Sequence, residues 1–433
     1  MTATVMAPAA TQAHRDPNVL RWLGAYACSM LGDNVYYLAL SWAAVQAGTP
    51  SQAGAVMAVS AVPRALLMLG GGVIADRLGP RRVVIGSDAA RCAAVLAVAA
   101  LLALTRPGLW PLALLALVFG TVDAVFMPAV GALPARITSP DQLARVQGMR
   151  GLAIRFASVV GAPLGGLVVA VGGAATAFGV AGLLIAAFLP LLVAVRVRPL
   201  PADDTSDETS DDTSGAEDGE DGAGAAGSRR ATAWGDLAAG LRYLRGHRVL
   251  GPLMLVIALG DFGFVGPLNV GLTLLADHRG WGASGMGWVL AGFGTGAGAA
   301  SLLLAVRGRL PYAALVAAGA ILAGSVAIGA LAYVPTLAGA VGVALAVGLL
   351  AGLSGAMCGA LLQTQADPAY HGRVTAVSGL VSLGLAPLSM PFAAAAIGAW
   401  GLRPVFVVSA AVCGLGGVVT LCFRDLRRAE LPA

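Results

Sequence analysis

Long apolar runs, each closed by a short polar or Arg-bearing turn, recur along the whole chain. Six can be marked in the first half, at 20–45, 53–75, 82–104, 109–132, 148–171 and 174–195. After a polar interval six more follow, at 249–276, 283–306, 312–333, 337–362, 377–398 and 403–422. Each reaches the ~20 residues that a helix needs to cross the hydrocarbon core of a bilayer. The pattern predicts an all-α integral membrane protein with twelve transmembrane helices in two six-helix bundles, residues 19–195 and 249–423.

The intervals are equally informative. Residues 1–18 are polar and carry no apolar core, so they read as a cytoplasmic tail and no cleavable signal peptide is expected. Between the halves, 196–232 contains "PADDTSDETSDDTSGAEDGEDGAGAAGSRR", which has no large apolar group. Such a segment cannot bury enough surface to offset its chain entropy and is expected to be a disordered tether. In 233–248, Trp234, Leu237, Leu241 and Leu244 share one helical face, which suits a helix lying in the membrane interface. Residues 424–433 form a second cytoplasmic tail.

Composition excludes the soluble alternative. The chain is 58% hydrophobic and 11% charged, against roughly 25% charged in soluble domains. Charge placement then orients it. All 27 basic residues are Arg; with both termini cytoplasmic, 21 of them fall on the cytoplasmic side and three (Arg106, Arg279 and Arg403) on the other. That asymmetry follows the positive-inside rule. Exclusive use of Arg is a habit of GC-rich bacterial genomes, so the bacterial cell membrane is the expected location. Ten of the 22 acids lie between Asp203 and Asp221, which leaves the rest strongly basic. Those Arg loops face anionic headgroups, and no nucleic-acid partner is needed to explain them. Cys28, Cys92, Cys358, Cys413 and Cys422 fall in or beside spans, without metal-ligand spacing. No His, Ser or Cys constellation lies in a soluble region, so no enzyme, metal or cofactor is expected.

The halves repeat. At an offset of 228 residues, Leu31-Gly32-Asp33 matches Leu259-Gly260-Asp261, Arg145-Val146 matches Arg373-Val374, and Pro163 matches Pro391. Duplicated six-helix halves are an organisation of secondary transporters, which hold substrate near the midplane.

One loop gives the repeat a family context. "GGGVIADRLGPRRVVIGSD" carries Gly72, Asp76, Arg77, Gly79, Arg81 and Arg82. It resembles the G-x-x-x-D-R-x-G-R-R loop of the major facilitator superfamily, departing from it at Pro80. The resemblance implies a cytoplasmic latch, with Asp76 bonded to the helix start near Gly372-Arg373. The second-half copy, "AVRGRLP", lacks the Asp, so the latch would be one-sided. "LGDNVYYLALSW", "VFMPAVGALPARI" and "HGRV" resemble the drug-exporting branch that includes macrolide and siderophore exporters. "GAPLGG" is similar to the antiporter motif G-P-x-x-G-G, with Ala162 in the Pro place and Pro at 163.

Candidate chemistry lies in the spans. Asp33, Asp123 and Asp261 sit near the midplane of spans 1, 4 and 7. A carboxylate there costs at least ~2.5–3.5 kcal/mol on insertion scales, so each is a candidate functional group. Arg64 on span 2 is expected to neutralise Asp33. Asp33, Asp123, Asp261 and Arg64 are the proton-coupling candidates; Asp123 and Asp261 lack a basic partner and are the better proton carriers, with Asp261 favoured because its Leu-Gly-Asp context repeats. Asp88 and Arg91, one turn apart on span 3, read as a structural pair beside the latch. Tyr36, Tyr37, Trp42, Phe126, Phe262, Phe264 and Asn269 are candidate walls of a cavity for an amphipathic, cationic substrate. The expectation is a monomeric, proton-driven exporter of drugs or secondary metabolites, with the proton gradient, the bilayer and a small molecule as its partners. The alternatives are an importer of a small polar nutrient, with more Asn, Gln and charge in its cavity, and a receptor or scaffold that depends on the linker.

Overall fold

The computed structural model describes residues 15–60, 63–64, 66–67, 74, 78–105, 108–138, 142–195, 197, 239–307, 312–367, 370–382 and 388–430. Among them every regular element is helical. Residues 198–232 of the expected linker, the tail at 1–14, Trp234, Leu237 and the loop residues Gly72, Asp76 and Arg77 lie outside the described residues.

Local chemistry sets the helix boundaries. Helix α1 (Pro17–Ala47) starts with Asp16 accepting from the Asn18 amide at 2.8 Å and with Pro at its first position. That proline lacks only an N–H that no turn would use. Helix α2 (Pro50–Val59) begins with a reciprocal capping box between Thr49 and Gln52. Helix α3 (Pro80–Leu104) follows Gly79, whose φ of +83° is open to glycine and strained for other residues. Helix α4 (Trp110–Ile137) carries Pro128 and Pro134 inside it. The continuous assignment α5 (Leu143–Val193) contains non-helical Gly173, at φ 74° and ψ −177°. The chain therefore breaks between the fifth and sixth apolar runs, where the sequence places a boundary at 171–174.

In the second half, α6 (Leu250–Gly266) passes through a π-helical turn at Pro267–Gly271 into α7 (Leu272–His278). There the Asn269 amide donates to the Val265 carbonyl at 2.8 Å, giving a partner to an acceptor beside the disturbed turn. Then come α8 (Gly282–Arg307), α9 (Ala313–Leu331), α10 (Leu337–Gln365), α11 (His371–Leu380), α12 (Ser389–Trp400), α13 (Leu402–Cys422) and α14 (Arg424–Arg427). Among the described residues eight apolar helices are long enough to cross a membrane, and one of the eight stretches contains Gly173. The expected interfacial helix is described at 239–246, where Leu244 is buried and Leu241 exposed.

Contacts divide the chain into two compact units. The first contains residues 1–198, 272–295 and 335–345; the second contains 199–271, 296–334 and 346–433. The boundary thus differs from a simple cut at the acidic tether. Within the first unit, the hydroxyls of Ser41 and Thr273 are hydrogen-bonded, and the Gln46 amide donates to Asp277 at 2.7 Å. A Cβ on Gly166 would lie 2.5 Å from the Ala283 carbonyl oxygen, so glycine permits that backbone approach. The first unit buries Trp22, Phe126, Leu133 and Ile137 in one cluster.

Candidate functional site

Three helices of the first unit, α1, α3 and α4, meet at one buried guanidinium. Arg91, 1% exposed, projects from α3. Its Nη1 lies 3.0 Å from Asp33 Oδ2 on α1 and 3.3 Å from Asp123 Oδ1 on α4. Its Nη2 donates to Asp88 on its own helix. Arg64 Nη1 stands 3.9 Å from Asp123 Oδ2. The remaining polar contacts tighten the group: Tyr37 donates to Asp123 Oδ2 at 3.2 Å, and Ser29 to Asp88 Oδ1 at 3.1 Å. Asp33 Oδ1 is buried and has no donor among the described residues.

Aromatic rings complete the walls. The Arg91 guanidinium carbon lies 3.9 Å from the Phe126 ring centroid, close enough for a cation–π contact in a desolvated site. Tyr36, fully buried, stacks on Phe119 with centroids 3.7 Å apart. Three carboxylates thus face two guanidiniums, leaving one negative charge when all five are ionised.

These contacts revise the sequence expectations. Arg64 faces Asp123, not Asp33, and Asp33 is met by Arg91. Asp123, expected to be alone, has cationic neighbours on two sides. Asp88 and Arg91 do pair, but Arg91 also joins α1 to α4 and is the functional candidate that sequence reasoning missed. The available signal was the presence of Arg91 well inside a first-half span, as a cation additional to Arg64. Tyr36, Tyr37 and Phe126, proposed as cavity walls, instead bound this ion cluster.

Asp261 has different surroundings, in the second unit. Ser382 Oγ donates to its Oδ2 at 2.6 Å. The ion pairs among the described residues all lie in the first unit. Asp261 and Phe264 line a cavity of about 340 Å³ together with Ser354, Cys358, Ser382 and Cys413. Phe262 turns to Phe392, centroids 6.2 Å apart, and lies on a separate small pocket. Asn269 is engaged by the π-helical turn.

Of the latch candidates, Gly79 precedes α3, and Arg81 donates to the Val193 carbonyl. Arg82 is in the first turn of α3, and Arg373 is in α11 with its side chain outside the described residues. Among the described residues no His, Cys, Asp and Glu group could hold a metal ion.

No curated protein matches the chain. Among solved structures, a bacterial homologue of the human lysosomal transporter Spinster, in an inward-facing and occupied conformation, superposes with a TM-score of 0.70. Identity is 13%, over 96% of this chain and 98% of that one. The nucleoside transporter NupG, as its D323A mutant, gives 0.68 at 12% identity over 94% and 100%. A POT family transporter in complex with 5-aminolevulinic acid gives 0.68 at 12%, over 94% and 96%. These likenesses establish the shared fold. The Major Facilitator Superfamily model matches residues 22–384, and the chain belongs to that superfamily.

Proposed function

We propose that the chain is a proton-coupled secondary transporter that exports amphipathic organic molecules by alternating access. The observation that carries the coupling is the cluster of Asp33, Asp88 and Asp123 around Arg91 and Arg64, with its odd negative charge. One proton balances the group, and its loss restores the charge inside the bilayer. A conformational equilibrium that favours one protonation state on each side would turn that exchange into transport.

Two features support an amphipathic solute and export. The second-unit cavity combines hydrocarbon walls with one carboxylate and a few hydroxyls and thiols. The motifs on α1 and α4 resemble those of drug exporters. Among the structural neighbours, NupG is a nucleoside transporter and the POT protein is complexed with 5-aminolevulinic acid. A small polar solute of that kind calls for more fixed hydrogen-bonding groups than the cavity offers.

The test uses everted membrane vesicles from cells that produce the protein, energised with an acid interior, and follows accumulation of ethidium. Accumulation should stop when the gradient is collapsed and should be absent with Asp123→Asn. Accumulation that ignores both changes would refute proton-coupled export.

A further inference from the structure

The two halves treat one intramembrane position in opposite ways. Asp33 and Asp261 are equivalent at the offset of 228 residues, and each lies in a Leu-Gly-Asp sequence. The surroundings of Asp33 are filled: Arg91 meets its carboxylate, and Phe119 and Phe126 lie against that guanidinium. At the same offset the second half replaces Phe119 by Val347, Asp123 by Ala351, Phe126 by Ser354 and Ile185 by Cys413.

Helix α9 completes the comparison. The buried stripe of α3 runs through Val84, Asp88, Arg91, Cys92, Val95 and Ala99. On α9 the same spacing returns one residue later, as Ala313, Ala317, Ala320, Ile321, Gly324 and Ile328. Arg91 is therefore replaced by Ala320, and Val95 by Gly324. Ala320, Gly324, Val347, Ala351, Ser354 and Cys413 all line the cavity of about 340 Å³ that contains Asp261. The cavity is thus lined by small residues at the sequence positions where the first unit carries Arg91, Phe119 and Phe126.

Duplication has thus kept an intramembrane carboxylate and removed its cation. Ser382 is its hydrogen-bond donor, and among the described residues no Arg or His lies within ion-pair distance. We propose that the second-unit cavity binds an organic monocation, an ammonium or guanidinium on an apolar body, whose charge meets Asp261 as Arg91 meets Asp33. The volume falls in the ~300–1,000 Å³ range of small-molecule pockets, and the apolar walls suit the uncharged part of such a ligand. Ser354 and Ser382 supply hydroxyls in the cavity wall, and that of Ser382 bonds Asp261. The inference rests on the reading of the chain as a carrier of amphipathic molecules and names their class.

The test is equilibrium binding to the purified full-length chain in lipid nanodiscs, with phenethylamine and its near-isostere phenethyl alcohol as probes. The amine should give saturable heat in a calorimeter, and the alcohol should not. Asp261→Asn and Ala320→Arg, the second of which supplies a tethered cation, should each weaken amine binding by roughly tenfold or more. In the unaltered protein the amine should slow alkylation of Cys358 and Cys413 by N-ethylmaleimide, read by mass spectrometry, and the alcohol should not. Equal binding or equal protection by the two probes would overturn the proposal, as would full affinity in a folded Asp261→Asn protein. Binding needs no gradient, so loss of proton coupling would leave this site standing. Failure of amine binding would leave gradient-driven transport of other molecules standing.

Discussion

Asp33 and Asp123 meet at one atom. Nη1 of Arg91 lies 3.0 Å from an oxygen of the first and 3.3 Å from an oxygen of the second. The second terminal nitrogen goes to Asp88. A planar guanidinium can serve three carboxylates at fixed angles, whereas a lysine ammonium is a single point on a flexible stem. Arg91→Ala leaves three buried acids with only the more distant Arg64. Breaking a buried pair from one side costs about 3–5 kcal/mol, and a loss of that size is expected in chemical unfolding of the purified protein in detergent. Arg91→Lys should recover part of the stability without restoring gradient-driven transport.

Charge balance separates coupling from folding. Removing one carboxylate with Asp88→Asn leaves two acids and two guanidiniums, a neutral set with no reason to take up a proton. Asn keeps the size of the side chain and can still accept from Ser29, so the fold should survive. The expected protein exchanges labelled for unlabelled substrate across proteoliposomes at near-normal rate but does not respond to an imposed pH difference. Retention of gradient-driven accumulation by Asp88→Asn would contradict the charge count.

Residue spacing shows depth in the membrane well and azimuth poorly, and the ion cluster shows the difference. Counting along each helix puts Asp33 and Asp123 deep in their spans, and a pair of glycines marks the break that Gly173 makes at φ 74°. The count does not reveal how each helix is rotated or which neighbour it meets. Spacing therefore pairs Arg64 with Asp33, whereas the folded chain places it 3.9 Å from Asp123. Spacing also makes Arg91 a local partner of Asp88, because three residues apart the two meet on any isolated helix. Its reach to α1 and α4 depends on packing. The repeat also misled in one respect: Leu-Gly-Asp recurs, but the charge environment does not. Small residues at Ala320, Ala351 and Ser354 carry that information, and they look unremarkable in a chain rich in Ala and Gly.

Close backbone approach makes two glycines of α4 behave oppositely. A Cβ on Gly120 would lie 2.0 Å from the Ser60 carbonyl oxygen, a distance that requires the backbone to move. Nothing lies within 4 Å of a Cβ on Gly131. Gly120→Ala is expected to destabilise by about 1–3 kcal/mol, in the range of overpacked sites. Gly131→Ala should be neutral or stabilising by up to roughly 1 kcal/mol, because alanine loses less backbone entropy in a helix. Thermal melting of the two variants side by side checks the contrast. Equal melting temperatures would mean that α4 does not pass Ser60 this closely.

The contacts at the far end of α1 offer a test of alternating access. Ser41 lies two turns beyond Asp33, and its hydroxyl bonds that of Thr273, while Gln46 donates to Asp277 at 2.7 Å. Both bonds join a first-half helix to a second-half segment within the first unit. If substrate passes by rocking of the two halves, these bonds must break once in every cycle. Hydroxyls in contact place their β-carbons near the spacing a disulfide needs, so Ser41→Cys combined with Thr273→Cys should cross-link under mild oxidation. Transport should then fall to background and return when the bond is reduced, while either single substitution transports in both conditions. The native thiols at Cys28, Cys92, Cys358, Cys413 and Cys422 are unpaired. The single-substitution controls therefore account for any oxidation at those positions. A cross-linked protein that still carried substrate at full rate would show that this end of α1 stays fixed during the cycle. The moving contacts would then have to lie elsewhere.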